Sequence, residues 1–225
     1  MPALRLHHAH AWDLTPTEAV AVQRELEPRV REAPLDLDAL ATVGGLDVSV
    51  RGDRVRAAVV VLDAATAGVV DHAVWEGPVA FPYVPGLLSF REVPALLPAL
   101  ERLRALPDVL VLDAQGRAHP RRFGLACHLG VLLDRPAVGV AKTRFVGRPA
   151  GELGEAKGSA VELVHRGETV GQAVRTRERV KPVFVSVGHR ATLADAVALT
   201  LRFAVRYTLP EPTRLAHRLS YAGEL

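Results

Sequence analysis

The segment at residues 108–113, DVLVLD, limits the possible folds more than any other part of the sequence. Its four central residues are all apolar, whereas a strand with one face in solvent alternates apolar and polar residues. Such a run is typical of a short strand covered on both faces, as in sheets whose parallel strands are joined by crossover helices. The segment therefore predicts an α/β fold with helices on both faces of the sheet.

The segments around this strand predict the rest of the sheet. Three strand-like runs precede it, and the turn sequences RGD and ATAG between them indicate an antiparallel meander. Parallel neighbours require covered crossovers, so we expect the later strands to run parallel to the first strand. This order matches a ribonuclease H-like mixed sheet in which the first strand is central and residues 108–113 pair beside it. The predicted strands are 42–50, 55–63, 68–77, 108–113, 136–143 and 182–188 with a hairpin at 160–176, and the predicted helices are 15–26, 87–106, 121–134 and 192–207.

The chain has 225 residues, of which 49% are hydrophobic, and it carries no repeat, linker or long polar tract. We therefore expect a single domain over residues 1–225. Cys127 is the only cysteine, which excludes a disulfide framework and a thiolate zinc site. The N-terminal residues lack an apolar leader, and Asp63 interrupts the longest apolar stretch, so we expect a soluble cytoplasmic protein without membrane contact.

Basic residues are concentrated in two stretches, although the formal net charge is only +3. Residues 113–148 contain seven basic and two acidic residues, and residues 175–181 contain four basic residues and one acidic residue. Fixed cations replace the condensed counterions of a nucleic acid, so a phosphate-bearing partner is one interpretation. A solvated, arginine-rich surface is the other interpretation, and charge alone does not separate the two.

Three carboxylates fall at positions where a buried sheet gains nothing from them. Asp47 interrupts the first predicted strand, Asp113 ends the strand at 108–113, and Glu92 lies near the start of a predicted helix. If the two strands are neighbours, their carboxylates meet at one edge of the sheet and repel one another unless a cation lies between them. Mg²⁺ prefers such hard oxygen ligands and can stabilise a phosphoryl transition state. Taken singly, Asp47 is equally a turn or cap residue and Glu92 a surface acid.

Several long motifs give the chain a resemblance to a known family. They are GLDVSV, FPYVPGLLSFRE, VLDAQGRAHPRRFGLACHLGVLLDRPAVGVAKTR and PEPTRLAH, in this order. Over residues 12–217 the sequence resembles endonuclease V, the deoxyinosine 3′-endonuclease family. The resemblance implies a ribonuclease H-like fold and a DNA repair nuclease that depends on Mg²⁺, with Mn²⁺ as a substitute. It also implies cleavage of the second phosphodiester 3′ to hypoxanthine, which leaves a 3′-hydroxyl and a 5′-phosphate.

The resemblance implies roles for particular residues. Asp47, Glu92 and Asp113 match the metal-binding acids of the family, and Lys142 and His217 match its other catalytic residues. The family wedge loop corresponds to PYVPG, in which two prolines stiffen the chain so that the tyrosine can fill the gap left by an expelled base. The residues that the resemblance assigns to the loop, the base pocket and the DNA backbone are Pro82, Tyr83, Pro85, Gly86, Leu88, Gly116, His119, Arg121 and Arg122.

Ala114 is the clear departure from the family pattern, which has glycine after the aspartate in Asp-Gly-Gln-Gly. A glycine at this position would serve either a positive φ angle or a close approach of the backbone to the base. We therefore expect Ala114 to leave metal-dependent cleavage intact and to reduce selectivity for hypoxanthine.

Two alternatives to a DNA repair enzyme stay open. An inosine-directed endoribonuclease would use the same acids and differ in contacts to the 2′-hydroxyl. A nucleic-acid-binding protein without catalysis is disfavoured by the intact set of acids. The expected partners are DNA that contains deaminated bases and, as the alternative, inosine-containing RNA, with no obligate protein partner.

Overall fold

The computed structural model describes residues 4–225. Five α-helices and one mixed sheet of nine strands occupy this part of the chain. The strands are β1 (Thr42–Arg51), β2 (Arg54–Asp63), β3 (Val69–Pro78), β4 (Val109–Leu112), β5 (Ala137–Ala141), β6 (Arg148–Pro149), β7 (Ala160–His165), β8 (Glu168–Val174) and β9 (Val183–His189). The helices are α1 (Pro16–Leu26), α2 (Leu88–Glu101), α3 (Leu125–Leu133), α4 (Leu193–Phe203) and α5 (Glu211–Ala222), and a 3₁₀ helix covers Glu27–Arg29.

The sheet order is β3-β2-β1-β4-β5-β9-β8-β7-β6. The predicted meander of β1, β2 and β3 is confirmed, and β4 and β5 run parallel to β1 as expected. The expectation that the later strands are all parallel to β1 is wrong for β9, which pairs antiparallel to β5. Strands β6 to β9 form a second antiparallel meander, in which the chain reverses between successive strands, so that β9 runs opposite to β5.

Strand β4 separates two hydrophobic cores. Leu110 and Leu112 belong to the core under α2 and α3, whereas Val109 and Val111 belong to the core under α4 and α5. All four side chains are buried because helices cover both faces of the sheet at this strand. The apolar run DVLVLD therefore has the two-sided burial that its sequence predicts.

Local sequence signals set several helix ends. Thr15 and Glu18 form a reciprocal capping box at α1, and Thr192 and Asp195 do the same at α4. Helix α3 begins four residues later than predicted because Arg122 has a φ angle of +56°, which a continuing helix excludes. Helix α5 and the short strand β6 were not predicted from the sequence. None of the helices in residues 4–225 combines the length and hydrophobicity of a membrane span.

Gly45 lets α5 lie directly on β1. A Cβ atom at this position would be 2.0 Å from the backbone carbonyl of Pro212, in the first turn of α5. No side chain larger than hydrogen fits this approach. The close packing brings the later turns of α5 to the part of β1 that carries Asp47.

Candidate active site

An acidic cluster lies where β1 and β4 run side by side. Leu46 and Leu112 are partners in the parallel register, so the residues that follow them, Asp47 and Asp113, emerge at the same level of the sheet. His217 on α5 completes the group, and one potential ligand atom from each residue lies within 4.8 Å of the others. The predicted meeting of the two strand carboxylates is therefore present in the structure.

Neighbouring side chains hold the two carboxylates in place. Lys142 Nζ lies 2.5 Å from Asp113 Oδ2 at the end of β5. His217 Nδ1 lies 3.3 Å from Asp47 Oδ2, and the Ser220 hydroxyl donates to the same oxygen. Burial raises the pKa of Asp113, and the hydrogen bond and positive charge of Lys142 oppose this change. The lysine thus offsets part of the cost of an ionised carboxylate in a half-buried site.

Glu92 on α2 lies near this cluster but is not one of the three residues whose ligand atoms lie within 4.8 Å of one another. Burial, followed by the negative charges of Asp47 and Asp113, raises the pKa of Glu92 to about 8. Carboxylates that repel one another in this way favour a bound cation. Two strand carboxylates and an adjacent glutamate supply the hard oxygen donors that fit a divalent ion such as Mg²⁺.

A cavity of about 390 Å³ adjoins the cluster, and its lining includes Asp113 of the cluster and the Lys142 that pairs with it. Tyr83 stands at its rim with 69% of its surface exposed, whereas Phe81 and Leu87 on either side of the loop are buried. The loop is therefore anchored at both ends and presents an aromatic ring to solvent. The lining includes Tyr83, Val84, Pro85, Gly86, Leu88, Ser89, Asp113, Ala114, His119, Leu125, Lys142, Arg144 and Phe145.

Three donors converge on the Gly86 carbonyl oxygen in the cavity wall. Gln23 Nε2 and His119 Nε2 each lie 3.0 Å from it, and Arg121 Nη2 lies 2.7 Å from it. Gly86 has a φ angle of +83°, a conformation that favours glycine. Because a carbonyl oxygen only accepts, His119 carries its proton on Nε2. Burial, followed by the charge of Arg121, lowers the pKa of His119 to about 4, so the ring is neutral at neutral pH.

Other predicted site residues lie in or beside the cavity. Ala114 is buried in its wall and does not have a positive φ angle, so the backbone conformation at this position does not require glycine. Gly116 lies behind the cavity, where its N–H donates to Ser186 Oγ at 2.8 Å. Pro82 directly precedes Tyr83, the first of the loop residues that line the cavity. Arg122 faces away from the cavity and pairs with Glu168 at 2.9 Å.

Sequence reasoning missed two buried supports of the cavity. Gln23 on α1 is 1% exposed and accepts from Arg121 Nε at 2.5 Å, in addition to its bond to Gly86. His128 on α3 is fully buried and lies 2.9 Å from the hydroxyl of the cavity residue Ser89. A polar residue on the apolar face of a helix is the only signal that marks such positions in the sequence.

A ribonuclease H-like sheet with acidic residues gathered beside its first and fourth strands defines a class of nucleases that cleave phosphodiesters. The family model of endonuclease V matches residues 24–218, which is most of the chain. The chain belongs to the endonuclease V family.

Individual relatives agree with this assignment. Endonuclease V of Nocardia farcinica is 53% identical over 211 residues, which cover 93% of this chain and 92% of the relative. The crystal structure of endonuclease V from Streptomyces avermitilis is 49% identical with a TM-score of 0.90, covering 95% of this chain and 94% of that one. Endonuclease V of Ciona intestinalis, solved with a 24mer DNA that contains an inosine followed by a ribo-adenosine, is 26% identical with a TM-score of 0.81 and coverages of 92% and 96%.

Proposed function

We propose that this protein is a Mg²⁺-dependent DNA repair endonuclease that recognises hypoxanthine. It cleaves the second phosphodiester 3′ to the lesion and leaves a 3′-hydroxyl and a 5′-phosphate, and Mn²⁺ substitutes for Mg²⁺. The observation that carries the proposal is the cavity of about 390 Å³ whose wall contains Asp113 of the acidic cluster and its partner Lys142. A base held in that cavity leaves its own strand within reach of the acids.

The cavity suits an extruded base. Its volume lies within the range of roughly 300–1,000 Å³ that is usual for small-ligand sites. Extrusion costs a few kcal/mol of stacking, and the exposed ring of Tyr83, flanked by Pro82 and Pro85, can occupy the gap in the duplex. The inosine-containing DNA bound by the Ciona intestinalis relative supports this substrate.

The acids and the basic residues beside them have different roles in the proposed cleavage. Asp47, Asp113 and Glu92 would hold Mg²⁺, which when bound stabilises the charge that develops on the phosphoryl oxygens and the leaving oxygen. His217 presents Nδ1 to Asp47 at 3.3 Å, so a proton on Nδ1 leaves Nε2 free to accept a proton from the attacking water. Lys142 offers its remaining ammonium protons to the phosphate next to Asp113.

His119 and Arg121 act on the pocket through the Gly86 carbonyl, since both donate to it. In this proposal they hold the backbone around the base, while Leu88 and Ala114 form its apolar walls and Gly116 supports the loop from behind. Arg122 lies outside the cavity, beside Arg117 and Arg166, and in this proposal these arginines contact the DNA backbone.

The test is to map the cut on a defined duplex with one inosine, beside the same duplex without it. We expect a single cut, directly after the 3′ neighbour of inosine, in Mg²⁺ or Mn²⁺ and no cut with a chelator. End-group analysis should show a 3′-hydroxyl and a 5′-phosphate. Cleavage that ignores the inosine, or that persists in the chelator, would contradict the proposal.

Inosine-containing RNA is the second candidate substrate. The ribo-adenosine after inosine in the DNA of the Ciona intestinalis complex favours including it. Side-by-side cleavage of inosine DNA and inosine RNA of one sequence separates the two, and equal or faster RNA cleavage would replace DNA repair as the function. A cytoplasmic location and independence from an obligate protein partner belong to the same proposal.

A further inference from the structure

A row of three side chains leads away from the acidic cluster along α5 and β1. His217, one helical turn before Tyr221, has its ring stacked on the tyrosine at a centroid distance of 6.3 Å. The guanidinium of Arg51 lies over the same tyrosine ring, 4.8 Å from its centroid. Tyr221 keeps 62% of its surface exposed despite both contacts. The row therefore joins the acidic cluster to an open aromatic surface.

Hydrogen bonds between β1 and α5 hold this row in place. Arg51 Nη2 donates to the Tyr221 carbonyl oxygen at 2.6 Å. Ser49 Oγ donates to the Ser220 carbonyl oxygen at 2.7 Å, and the Ser220 hydroxyl donates to Asp47. An exposed tyrosine on a fixed backbone binds a flat partner with little loss of side-chain entropy.

The positive charge of Arg51 is not neutralised by an acid. No carboxylate lies within 4.0 Å of its guanidinium in the described residues 4–225. Tyr207 offers a comparison, because Arg214 lies over its ring at 4.4 Å. Arg214, however, is paired with Glu211 at 2.5 Å, so its charge is already compensated. Of these two arginine–tyrosine pairs, only Arg51 with Tyr221 has a positive charge available to bind an anion.

The order of the strands determines where Tyr221 lies relative to the base cavity and the acidic cluster. The base cavity lies against β4 and β5, with Asp113 and Lys142 in its wall. Asp47 and His217 lie on the β1 side of the cluster, and Tyr221 lies further along β1, beyond them. A strand whose base occupies the cavity and whose cut bond lies at the acids continues towards Tyr221.

We propose that Tyr221 and Arg51 form a subsite for the nucleotides that follow the cut bond. This subsite rests on the proposed function, because it takes its register from the base cavity and the cut. Tyr221 stacks on a nucleobase or sugar of the outgoing strand, a contact that does not depend on base identity. Arg51 binds a phosphate of the same segment.

The experiment compares two inosine substrates that differ only at the 3′ end. The long one continues for several nucleotides beyond the cut, and the short one ends one nucleotide beyond it. On the long substrate, Tyr221→Ala should raise KM about 10-fold and change kcat little, as expected for loss of one stacking contact. On the short substrate, Tyr221→Ala should match the wild type. Tyr221→Trp should restore the KM on the long substrate.

Arg51→Gln gives an independent readout. On the long substrate it should reduce the slope of log affinity against log salt by about one, the effect of losing one phosphate contact. The short substrate should show no change in slope. Tyr207→Ala is the matched control, since it removes an exposed tyrosine beneath an arginine that is already paired, and it should leave KM unchanged on both substrates.

The outcomes separate this subsite from the proposed function. A wild-type protein that cuts neither inosine substrate contradicts the proposed function. A wild type that cuts both, with equal effects of Tyr221→Ala on each, contradicts the subsite alone, because the tyrosine then acts through His217 or the fold. No effect of Tyr221→Ala on either substrate also overturns the subsite.

Discussion

The Nε2 atom of His119 lies 3.0 Å from the carbonyl oxygen of Gly86, and this contact requires a proton on Nε2. The Nδ1 atom of the same ring accepts the N–H of Arg121 at 3.2 Å. Both ring nitrogens are thus satisfied only in the neutral form. A protonated ring would lose the hydrogen bond from the backbone N–H of Arg121. It would also place a second positive charge beside the Arg121 guanidinium.

The free energy of unfolding should decrease as the pH falls from 6.5 to about 4, the interval in which His119 is neutral in the folded protein and protonated in the unfolded chain. Burial lowers its pKa from 6.5 to about 4, so the folded protein binds fewer protons than the unfolded chain in this interval. The contribution of neutral His119 to the unfolding free energy is fully present above pH 6.5 and is lost as the pH falls towards 4. We expect the unfolding free energy, measured with urea, to fall between pH 7 and pH 4.5 in the wild type. In His119→Gln this fall should be about 2–3 kcal/mol smaller. The exposed His72→Gln is the control, and an equal pH dependence in wild type and His119→Gln would contradict the assignment.

Asp113→Asn should abolish cleavage while substrate binding is kept or strengthened. The change removes a proposed metal ligand and the partner of Lys142, and it lowers repulsion towards phosphate. We expect kcat to fall by about 100-fold or more, the scale of losing one charge-stabilising group. Cleavage rates and anisotropy binding to an inosine duplex measure the two effects. Asp53→Asn, in the β1–β2 turn, is the control, and near wild-type cleavage by Asp113→Asn in Mg²⁺ would show that Asp113 is not a ligand.

Tyr83→Ala should weaken cleavage of inosine in a duplex more than in a flexible single strand. The exposed ring fills the stack only where a stack exists. The loss on the duplex should be roughly 1–3 kcal/mol in transition-state stabilisation, the range for one base–aromatic stack. The ratio of kcat/KM on the two substrates is the measurement. An equal loss on both would instead assign Tyr83 to packing of the loop.

Ala114→Gly should raise the ratio of kcat/KM for inosine DNA over unmodified DNA. Ala114 lines the cavity at a position without a positive φ angle, so we expect removal of its methyl group to change the space for the base. The Mg²⁺ dependence should stay the same, because Asp113 keeps its place. Cleavage of matched duplexes with and without inosine gives the ratio, and an unchanged ratio would mean that the pocket accommodates the methyl group without consequence.

Gly45→Ala should destabilise the protein and reduce cleavage together. The added Cβ would meet the Pro212 backbone at 2.0 Å and push α5, with His217, away from β1. We expect a loss of about 1–3 kcal/mol in unfolding free energy, as for an overpacked core site. Thermal unfolding and cleavage rates measure the two effects. Gly151→Ala is the control, because its nearest neighbour would be a Val161 methyl at 3.9 Å, and equal stability of both variants would contradict the packing argument.

Local patterns in the sequence determined the apolar strand β4, the meander before it and the capped starts of α1 and α4. They also placed Asp47 within one predicted strand and Asp113 at the end of another, whereas the pairing of these two strands was expected only from the match of the strand order to a ribonuclease H-like sheet. These features depend on periodicity, caps and turns, which operate over a few residues and can be read in the chain itself.

Only the tertiary structure decided which distant groups meet. The antiparallel entry of β9, the contact of Pro212 with Gly45 and the three donors on the Gly86 carbonyl join residues far apart in the chain. Such contacts depend on how helices and strands pack against one another, and no local periodicity encodes that packing. The same holds for Tyr221: the sequence shows a helical tyrosine, and only the packing of α5 on β1 places it beside His217 and under Arg51.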